Sequence, residues 1–220
     1  MFSPQQAALR VALQRKTFAG CAFPDIVAAD DALIAEAWVP GTTVSELAPT
    51  ERQNAYVAVA AFLEDLRTRC DLADTARTFP TAFDYIGHYL VPRLEPWTAL
   101  DDIRDALSDW REVYARIADA VPSHVSHPDL SANNIIREDE TGRFVIIDNE
   151  LLGVGHGWIL DQRNSCLSTE SGFEETWPDV TLLAEKAWQL RCIGSALDAG
   201  DLSGALAIAR RETFRKASSI

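Results

Sequence analysis

Residues 126–150 read SHPDLSANNIIREDETGRFVIIDNE, and this stretch decides which fold the sequence predicts. Short runs that contain consecutive apolar residues, at 134–137 and 143–147, flank the turn-forming residues 139–142, which is the pattern of a β-hairpin. A hairpin brings the chain that follows its second strand back beside the chain that precedes its first strand. Polar residues occupy both of these flanks, so we expect the chemistry of this protein at the open end of the hairpin.

Three of the polar residues flank the hairpin directly, with Asp129 and Asn134 before or at its first strand and Asp148 after its second. We expect their side chains to meet at one point. Two carboxylates and one amide oxygen are hard ligands, which suit Mg²⁺ better than zinc. Considered singly, Asp129 and Asn134 are also typical of helix caps and turns, so that interpretation stays open at this point.

The pattern H-x-D-L-x-x-x-N begins at His127, and I-I-D-x-E places Asp148 nineteen residues after Asp129. Together these motifs resemble the catalytic loop and metal-binding hairpin of the aminoglycoside phosphotransferase and choline kinase branch of the protein-kinase-like fold. Upstream, residues 32–47 (ALIAEAWVPGTTVSEL) resemble the hinge strand of that family and the P-G turn that leads into its helical lobe. The resemblance covers roughly residues 20–220.

The resemblance implies a role for each polar residue of the motif. Asp129 would orient the acceptor hydroxyl and accept its proton, while Asn134 and Asp148 would hold Mg²⁺ against the phosphates of ATP or GTP. Three further residues would support the site: His127 by fixing the loop backbone, Glu150 as a further acceptor beside the metal, and Asp161 by bracing the catalytic loop.

The fold class that the resemblance implies is α+β, protein-kinase-like, of the aminoglycoside phosphotransferase type. Residues 1–40 would form a reduced N-terminal lobe and hinge strand, with one helix starting at Ser3-Pro4 and about two strands. Residues 41–220 would form a mostly helical C-terminal lobe that carries the catalytic loop (127–134) and the metal-binding hairpin (135–150).

Half of the family's nucleotide clamp is missing from the sequence. A kinase-like N-terminal lobe carries a Gly-rich loop over the phosphates and a strand lysine that reaches them. No Gly-rich loop precedes Gly41, and the lysines of the chain are Lys16, Lys186 and Lys216, none of which falls on a suitable strand. The nucleotide-binding residues beyond the metal ligands are therefore not identified by the sequence.

This gap leaves three hypotheses for function. The chain is a minimal Mg²⁺-dependent phosphotransferase that moves a nucleotide γ-phosphate to a hydroxyl of a small molecule or peptide. Alternatively, a partner protein or a second copy completes the nucleotide site through the exposed edge of the N-terminal lobe, which exposed Phe18, Phe23 and Trp38 would indicate. As a third possibility, the chain is a non-catalytic, kinase-like binding subunit.

The remaining features bound the class of protein. The chain has 220 residues, a net charge of −13 and 47% hydrophobic residues, which predicts a folded protein with no affinity for nucleic acid or anionic membranes. It has no signal peptide, membrane span or C-x-x-C pair, so we expect a cytoplasmic protein with reduced cysteines.

The acidic run over 101–112 either attracts a cationic acceptor or forms a solvated helix face. The glycines of G-V-G-H-G at 153–157 match no nucleotide-binding motif, and we expect them in a turn.

Overall fold

The computed structural model describes residues 3–31, 33–163 and 179–211. The helices are α1 (Pro4–Gln14), α2 (Pro49–Thr68), α3 (Cys70–Thr78), α4 (Val91–Leu94), α5 (Asp101–Ile117), α6 (Val180–Asp198) and α7 (Leu202–Ala209). A π-helical turn over Tyr85–Leu90 leads into α4. The strands are β1 (Cys21–Ala22), β2 (Ile26–Ala29), β3 (Ile34–Glu36), β4 (Gly41–Thr43), β5 (His124–Ser126), β6 (Ile135–Glu138), β7 (Phe144–Ile146) and β8 (Gly153–Gly155).

The predicted hairpin is present, and its two strands form the middle of a sheet with the order β1-β7-β6-β4. Strands β6 and β7 pair antiparallel, with Ile135 opposite Ile146. Strand β1 runs parallel to β7, and β4 runs antiparallel to β6. Both isoleucines are buried, so a slip of one residue would move them out of the core, and their burial fixes the register.

The two strands predicted after α1 form a separate antiparallel pair, β2–β3. Trp38, which follows this pair, exposes 88% of its surface, and Val27 of β2 exposes 67%. Phe18 and Phe23 differ, because their rings pack against Phe62 of α2 at centroid distances of 5.2 and 5.4 Å. The exposed aromatic edge that would indicate a partner is therefore present at Trp38 and absent at the two phenylalanines.

Helix α1 begins as its sequence predicts. Gln6 donates its backbone N–H to Ser3 Oγ at 3.2 Å, and Ser3 donates its own N–H to Gln6 Oε1 at 3.1 Å. Pro4 follows at the first helical position, where no backbone N–H is needed. Leu9 and Leu13 are fully buried in a core that also contains side chains of α2, β1 and β7. The N-terminal helix is thus packed into the same core as the hairpin.

The helical part of the chain has a second core between α5, α6 and α7. Here Lys186 is 2% exposed and pairs with Asp109 across α5 and α6 at 3.0 Å. The other acidic residues of the 101–112 run also lie within ion-pair distance of an arginine (Asp101, Asp102, Asp105 and Glu112). Neighbouring cations offset this run, which fits the solvated helix face better than a site for a cationic acceptor.

Gly153 and Gly155 lie in β8, which pairs with β5, so the expectation of a turn at these two glycines is wrong. A Cβ at Gly153 would lie 1.7 Å from the carbonyl oxygen of Phe83. That oxygen accepts a hydrogen bond from the backbone N–H of Val154 at 3.0 Å, which explains the close approach of the two segments.

No helix in the described part of the chain is both long enough and apolar enough to cross a membrane.

Candidate active site

Hydrogen bonds tie the catalytic-loop segment (127–134) to the end of the hairpin. Asn134 donates its side-chain Nδ2 to the backbone oxygen of Asp129 at 3.0 Å. The backbone oxygen of Asn134 in turn accepts the N–H of Ile147, the neighbour of Asp148, at 2.9 Å. The structure therefore brings Asp129, Asn134 and Asp148 to the same end of the hairpin, as the spacing of the sequence predicts.

Asp148 has an unusual backbone conformation. Its φ is +59°, and among the described residues it is the only one other than glycine with a positive φ. Aspartate tolerates this left-handed region better than most residues, but the conformation is strained and such strain is concentrated at functional sites. Asp148 lies two residues after the end of β7 and directly precedes a short 3₁₀ helix over Asn149–Leu151, so the chain changes direction at the predicted metal ligand.

Negative charge accumulates around Asp148. Burial, followed by the charges of Glu150, Asp129 and Glu36, raises the pKa of the Asp148 carboxyl above its ordinary value. We refer to these four residues as the carboxylate cluster. Arg10 pairs with Glu36, and Arg191 pairs with Asp129, whereas no cation among the described residues pairs with Asp148 or Glu150.

The donor set fits a hard divalent cation. It offers carboxylate oxygens from Asp148 and Glu150 and an amide oxygen from Asn134, which are ligands that Mg²⁺ accepts. No three His, Cys, Asp or Glu side chains in the described part of the chain are placed to hold a metal ion by themselves. A sparse protein ligand set of this kind is typical of Mg²⁺ sites that are completed by nucleotide phosphates and water.

His127 is completely buried beside the cluster and belongs to a hydrogen-bonded chain. Asn149 donates Nδ2 to both carboxylate oxygens of Glu36 at 3.0 Å, so its Oδ1 faces His127 Nε2, 3.1 Å away. His127 therefore carries its proton on Nε2, because an amide oxygen can only accept. Burial lowers the pKa of His127 to about 4, so the imidazole is neutral at physiological pH.

Helix α1 anchors this chain from the other side. Arg10 is fully buried, and its guanidinium bonds Glu36 Oε1 at 2.7 Å and the backbone oxygen of Pro24 at 2.7 Å. Gln6 donates Nε2 to the backbone oxygens of Glu150 at 2.8 Å and Leu152 at 3.1 Å. The carboxylate of Glu150 is left exposed. Gln6 and Arg10 of α1 thus bond two separate segments, one that contains Glu150 and one that contains Glu36, and both glutamates belong to the carboxylate cluster.

The other predicted supporting residue, Asp161, lies on the short helix Gly157–Arg163 that follows β8. Burial raises the pKa of its carboxyl well above the ordinary value, against the opposing charge of Arg67. Its bracing role stays a prediction.

Both lysines in the described part of the chain form ion pairs away from the carboxylate cluster. Lys16 pairs with Asp71 of α3 at 3.0 Å, and Lys186 is the buried partner of Asp109. Lys216 lies outside the described residues. A lysine for the nucleotide phosphates is therefore absent from the part of the chain that the structure describes.

Sequence reasoning missed Arg191, Glu36 and Arg10. Arg191 Nη2 pairs with Asp129 Oδ1, although 62 residues separate the two in sequence. Glu36 and Arg10 lie within stretches that predict a strand and a helix, but no local spacing marks them as parts of a site. Their partners come from other elements, which only the tertiary structure brings together.

A protein-family model described as the phosphotransferase enzyme (APH) family matches residues 25–158, more than half of the chain. Among solved structures, the GDP complex of an aminoglycoside 2′-phosphotransferase-IIIa variant is similar with a TM-score of 0.59 and 16% identity, covering 96% of this chain and 80% of the other. The gentamicin complex of APH(2″)-IIa gives a TM-score of 0.56 and 16% identity over 96% of this chain and 82% of the other. A macrolide 2′-phosphotransferase from Brachybacterium faecium gives a TM-score of 0.51 and 17% identity, covering 94% of this chain and 78% of the other.

No curated protein sequence matches the chain. The structural similarity confirms the predicted fold class, an α+β protein of the aminoglycoside phosphotransferase, kinase-like type.

Proposed function

Because the chain belongs to the phosphotransferase enzyme family, we propose that it transfers the γ-phosphoryl group of ATP or GTP to a hydroxyl group of a small molecule. In this reaction the acceptor oxygen bonds to the γ-phosphorus, the bond from that phosphorus to the β–γ bridging oxygen breaks, and the nucleoside diphosphate leaves. The observation that carries the proposal is the meeting of Asp129, Asn134 and Asp148 at the open end of the hairpin.

Asp129 is the proposed catalytic residue. Its carboxylate would orient the acceptor hydroxyl and take the proton that the hydroxyl loses as the new bond forms. Its backbone is held by Asn134 at 3.0 Å and its carboxylate by Arg191, so the group is preorganised before any substrate binds. Preorganisation matters because phosphoryl transfer depends almost entirely on positioning and electrostatics.

Asn134 and Asp148 are the proposed Mg²⁺ ligands, with Glu150 in support. The concentration of negative charge around Asp148 supports this assignment, because a divalent cation would relieve it. When bound, Mg²⁺ would neutralise charge on the nucleotide phosphates. His127 would keep the loop in place through Asn149, which is the neighbour of Asp148.

The lack of a phosphate lysine among the described residues supports a second candidate, a non-catalytic kinase-like subunit that binds a ligand without transferring phosphate. Both described lysines are held in ion pairs away from the carboxylate cluster.

In a related form of the first proposal, another chain completes the nucleotide site. Exposed apolar side chains in and beside the β2–β3 pair support it, since Val27 of β2 is 67% exposed and the flanking Leu33 and Trp38 are 64 and 88% exposed.

Titration calorimetry with Mg²⁺ and a non-hydrolysable ATP or GTP analogue tests the metal site first. We expect binding that requires Mg²⁺ and is lost in Asp148→Ala. The matched control is Glu140→Ala, which removes an exposed carboxylate at the opposite end of the same hairpin and should bind as the wild type does. Equal binding by the two variants would show that Asp148 holds no metal-bound nucleotide.

An assay of nucleoside diphosphate release then tests transfer. The acceptor panel comprises gentamicin, a macrolide, choline and a serine-containing peptide, with water as the background acceptor. We expect acceptor-dependent release that Asp129→Asn abolishes. Metal-dependent binding without transfer to any acceptor would favour the non-catalytic subunit, and light scattering would then show whether the chain self-associates.

A further inference from the structure

Arg191 of α6 contacts the catalytic-loop segment at two adjacent points. Its Nη2 pairs with Asp129 Oδ1, and its Nη1 donates to the backbone oxygen of Pro128 at 3.3 Å. Nη1 also donates to the hydroxyl of Tyr85 at 3.0 Å. One guanidinium therefore joins α6, the π-helical turn and the proposed catalytic residue.

Two aromatic rings lie close to the guanidinium in addition to its hydrogen-bond partners. It lies 5.8 Å from the ring centroid of Tyr85 and 5.6 Å from that of Trp188. Tyr85 is 3% exposed, and burial raises the pKa of its hydroxyl to about 12, so the hydroxyl stays protonated and neutral. A planar cation placed over aromatic rings loses little further freedom when it bonds a carboxylate.

The Asp129–Arg191 pair is shielded but not sealed off, with side-chain exposures of 26 and 24%. Solvent screening is weaker for such a pair than for exposed ions, so the contact is stronger than an ordinary surface ion pair. Asp129 remains accessible enough to meet a substrate.

The contacts leave Asp129 little freedom. Asn134 fixes its backbone oxygen, Arg191 fixes the preceding carbonyl, and Arg191 also occupies Oδ1. A carboxylate has two oxygens, and a proton acceptor needs one of them directed at the hydroxyl. Arg191 bonds Oδ1 and no described residue bonds Oδ2, so Oδ2 is the oxygen left open for that task.

We propose that Arg191 is the positioning residue for Asp129: it holds Oδ1 so that Oδ2 is presented to the acceptor hydroxyl. The inference rests on the proposed function. Arg191 itself touches no reacting atom in this assignment, and it acts through the orientation of Asp129. The prediction is therefore a defect in the rate of transfer rather than in nucleotide binding.

The test compares Arg191→Gln with Arg93→Gln. Arg93 of α4 is a matched control, because it lies 5.2 Å from the ring of Tyr89 and pairs with Asp198 without contacting Asp129. With Mg²⁺-ATP and the acceptor panel, we expect Arg191→Gln to lower kcat by about 100-fold, the scale of a small misplacement of a catalytic group, with the KM for ATP unchanged. Arg93→Gln should keep the wild-type kcat.

A conservative variant separates positioning from folding. Arg191→Lys keeps the positive charge but lacks the planar guanidinium with its forked donors, so its kcat should lie between those of Arg191→Gln and the wild type. Tyr85→Phe removes only the hydroxyl that accepts from Arg191 Nη1, and it should lower kcat less than Arg191→Gln does. If Arg191→Gln does not fold, these two variants carry the comparison with Arg93→Gln.

The pair itself is measured without activity, by a double-mutant cycle of Arg191→Gln and Asp129→Asn in urea denaturation. A coupling energy of zero overturns the inference, as does a kcat for the Arg191 variants equal to that of Arg93→Gln, or a rise in KM alone. A wild-type chain that transfers no phosphate to any acceptor or to water contradicts the proposed function instead, and the inference falls with it. A non-zero coupling in that case would show that the pair is structural.

Discussion

Asn149 donates its side-chain amide to both carboxylate oxygens of Glu36 at 3.0 Å, across 113 residues of sequence. This contact joins the end of β3 to the residue next to Asp148. Arg10 bonds the same carboxylate from α1, and His127 bonds the other end of the Asn149 amide. Glu36 is thus the point at which α1, β3 and the catalytic-loop segment are connected.

We predict that Glu36→Gln destabilises the protein strongly. The variant leaves the fully buried guanidinium of Arg10 without its counter-charge, and removal of one partner of a buried ion pair costs about 3 kcal/mol or more. The free energy of unfolding from urea titration measures the loss. Glu140→Gln, at an exposed position of the hairpin turn, should be neutral, and equal stability of the two variants would contradict the importance of the Glu36 contacts.

The sequence predicts the parts of the fold that depend on neighbouring residues. The hairpin follows from two runs of apolar residues around a turn, and the start of α1 follows from Ser3 and Pro4. The convergence of Asp129, Asn134 and Asp148 is also predictable, because a hairpin brings its flanks together whatever the rest of the chain does.

The contacts of Arg191 and Glu36 could not be predicted from neighbouring residues in the sequence. Arg191 lies in an amphipathic helix where an arginine is unremarkable, and its partner is 62 residues away. Gly153 shows the same limit, since the glycine is needed because of the carbonyl of Phe83, which belongs to another segment. A single sequence without its tertiary contacts cannot distinguish these residues from ordinary surface or turn residues.

We predict that His127 makes the stability of the protein fall with acidification. Its pKa is about 4 in the folded protein and near 6.5 when unfolded, so its contribution is fully present above pH 6.5 and is lost as the pH falls towards 4. Between pH 7 and pH 5 this group alone removes about 2 kcal/mol from the free energy of unfolding.

His127→Gln tests this linkage. The variant should be less stable than the wild type at pH 7 but should lose less stability between pH 7 and pH 5 in urea titrations. His124, whose pKa burial also lowers to about 4, remains in the variant, so the difference isolates His127. Parallel pH profiles for the two proteins would show that His127 does not stay neutral in the fold.

Gly153→Ala should disrupt the packing of β8, because the added Cβ would lie 1.7 Å from the carbonyl oxygen of Phe83 and the backbone would have to move. Gly142→Ala provides the contrast, since its Cβ meets nothing within 4 Å and only its φ of +69° opposes the change. We expect a cost of about 1 kcal/mol for Gly142→Ala and a clearly larger one for Gly153→Ala, measured by urea denaturation. Equal costs would mean that β8 can shift away from Phe83.

The buried pair of Lys186 and Asp109 predicts an asymmetry between its two partners. Lys186 is 2% exposed at its side chain, whereas Asp109 is 34% exposed. Asp109→Asn therefore leaves an uncompensated charge in the core and should cost about 3 kcal/mol. Lys186→Met replaces the buried charge with an apolar chain of similar length and leaves a carboxylate that water can reach, so it should be close to neutral. Urea denaturation gives the free energy of unfolding of both variants. A larger loss for Lys186→Met than for Asp109→Asn would show that the packing of the lysine side chain or its bond to Asp109, rather than the burial of its charge, dominates the energetics of the pair.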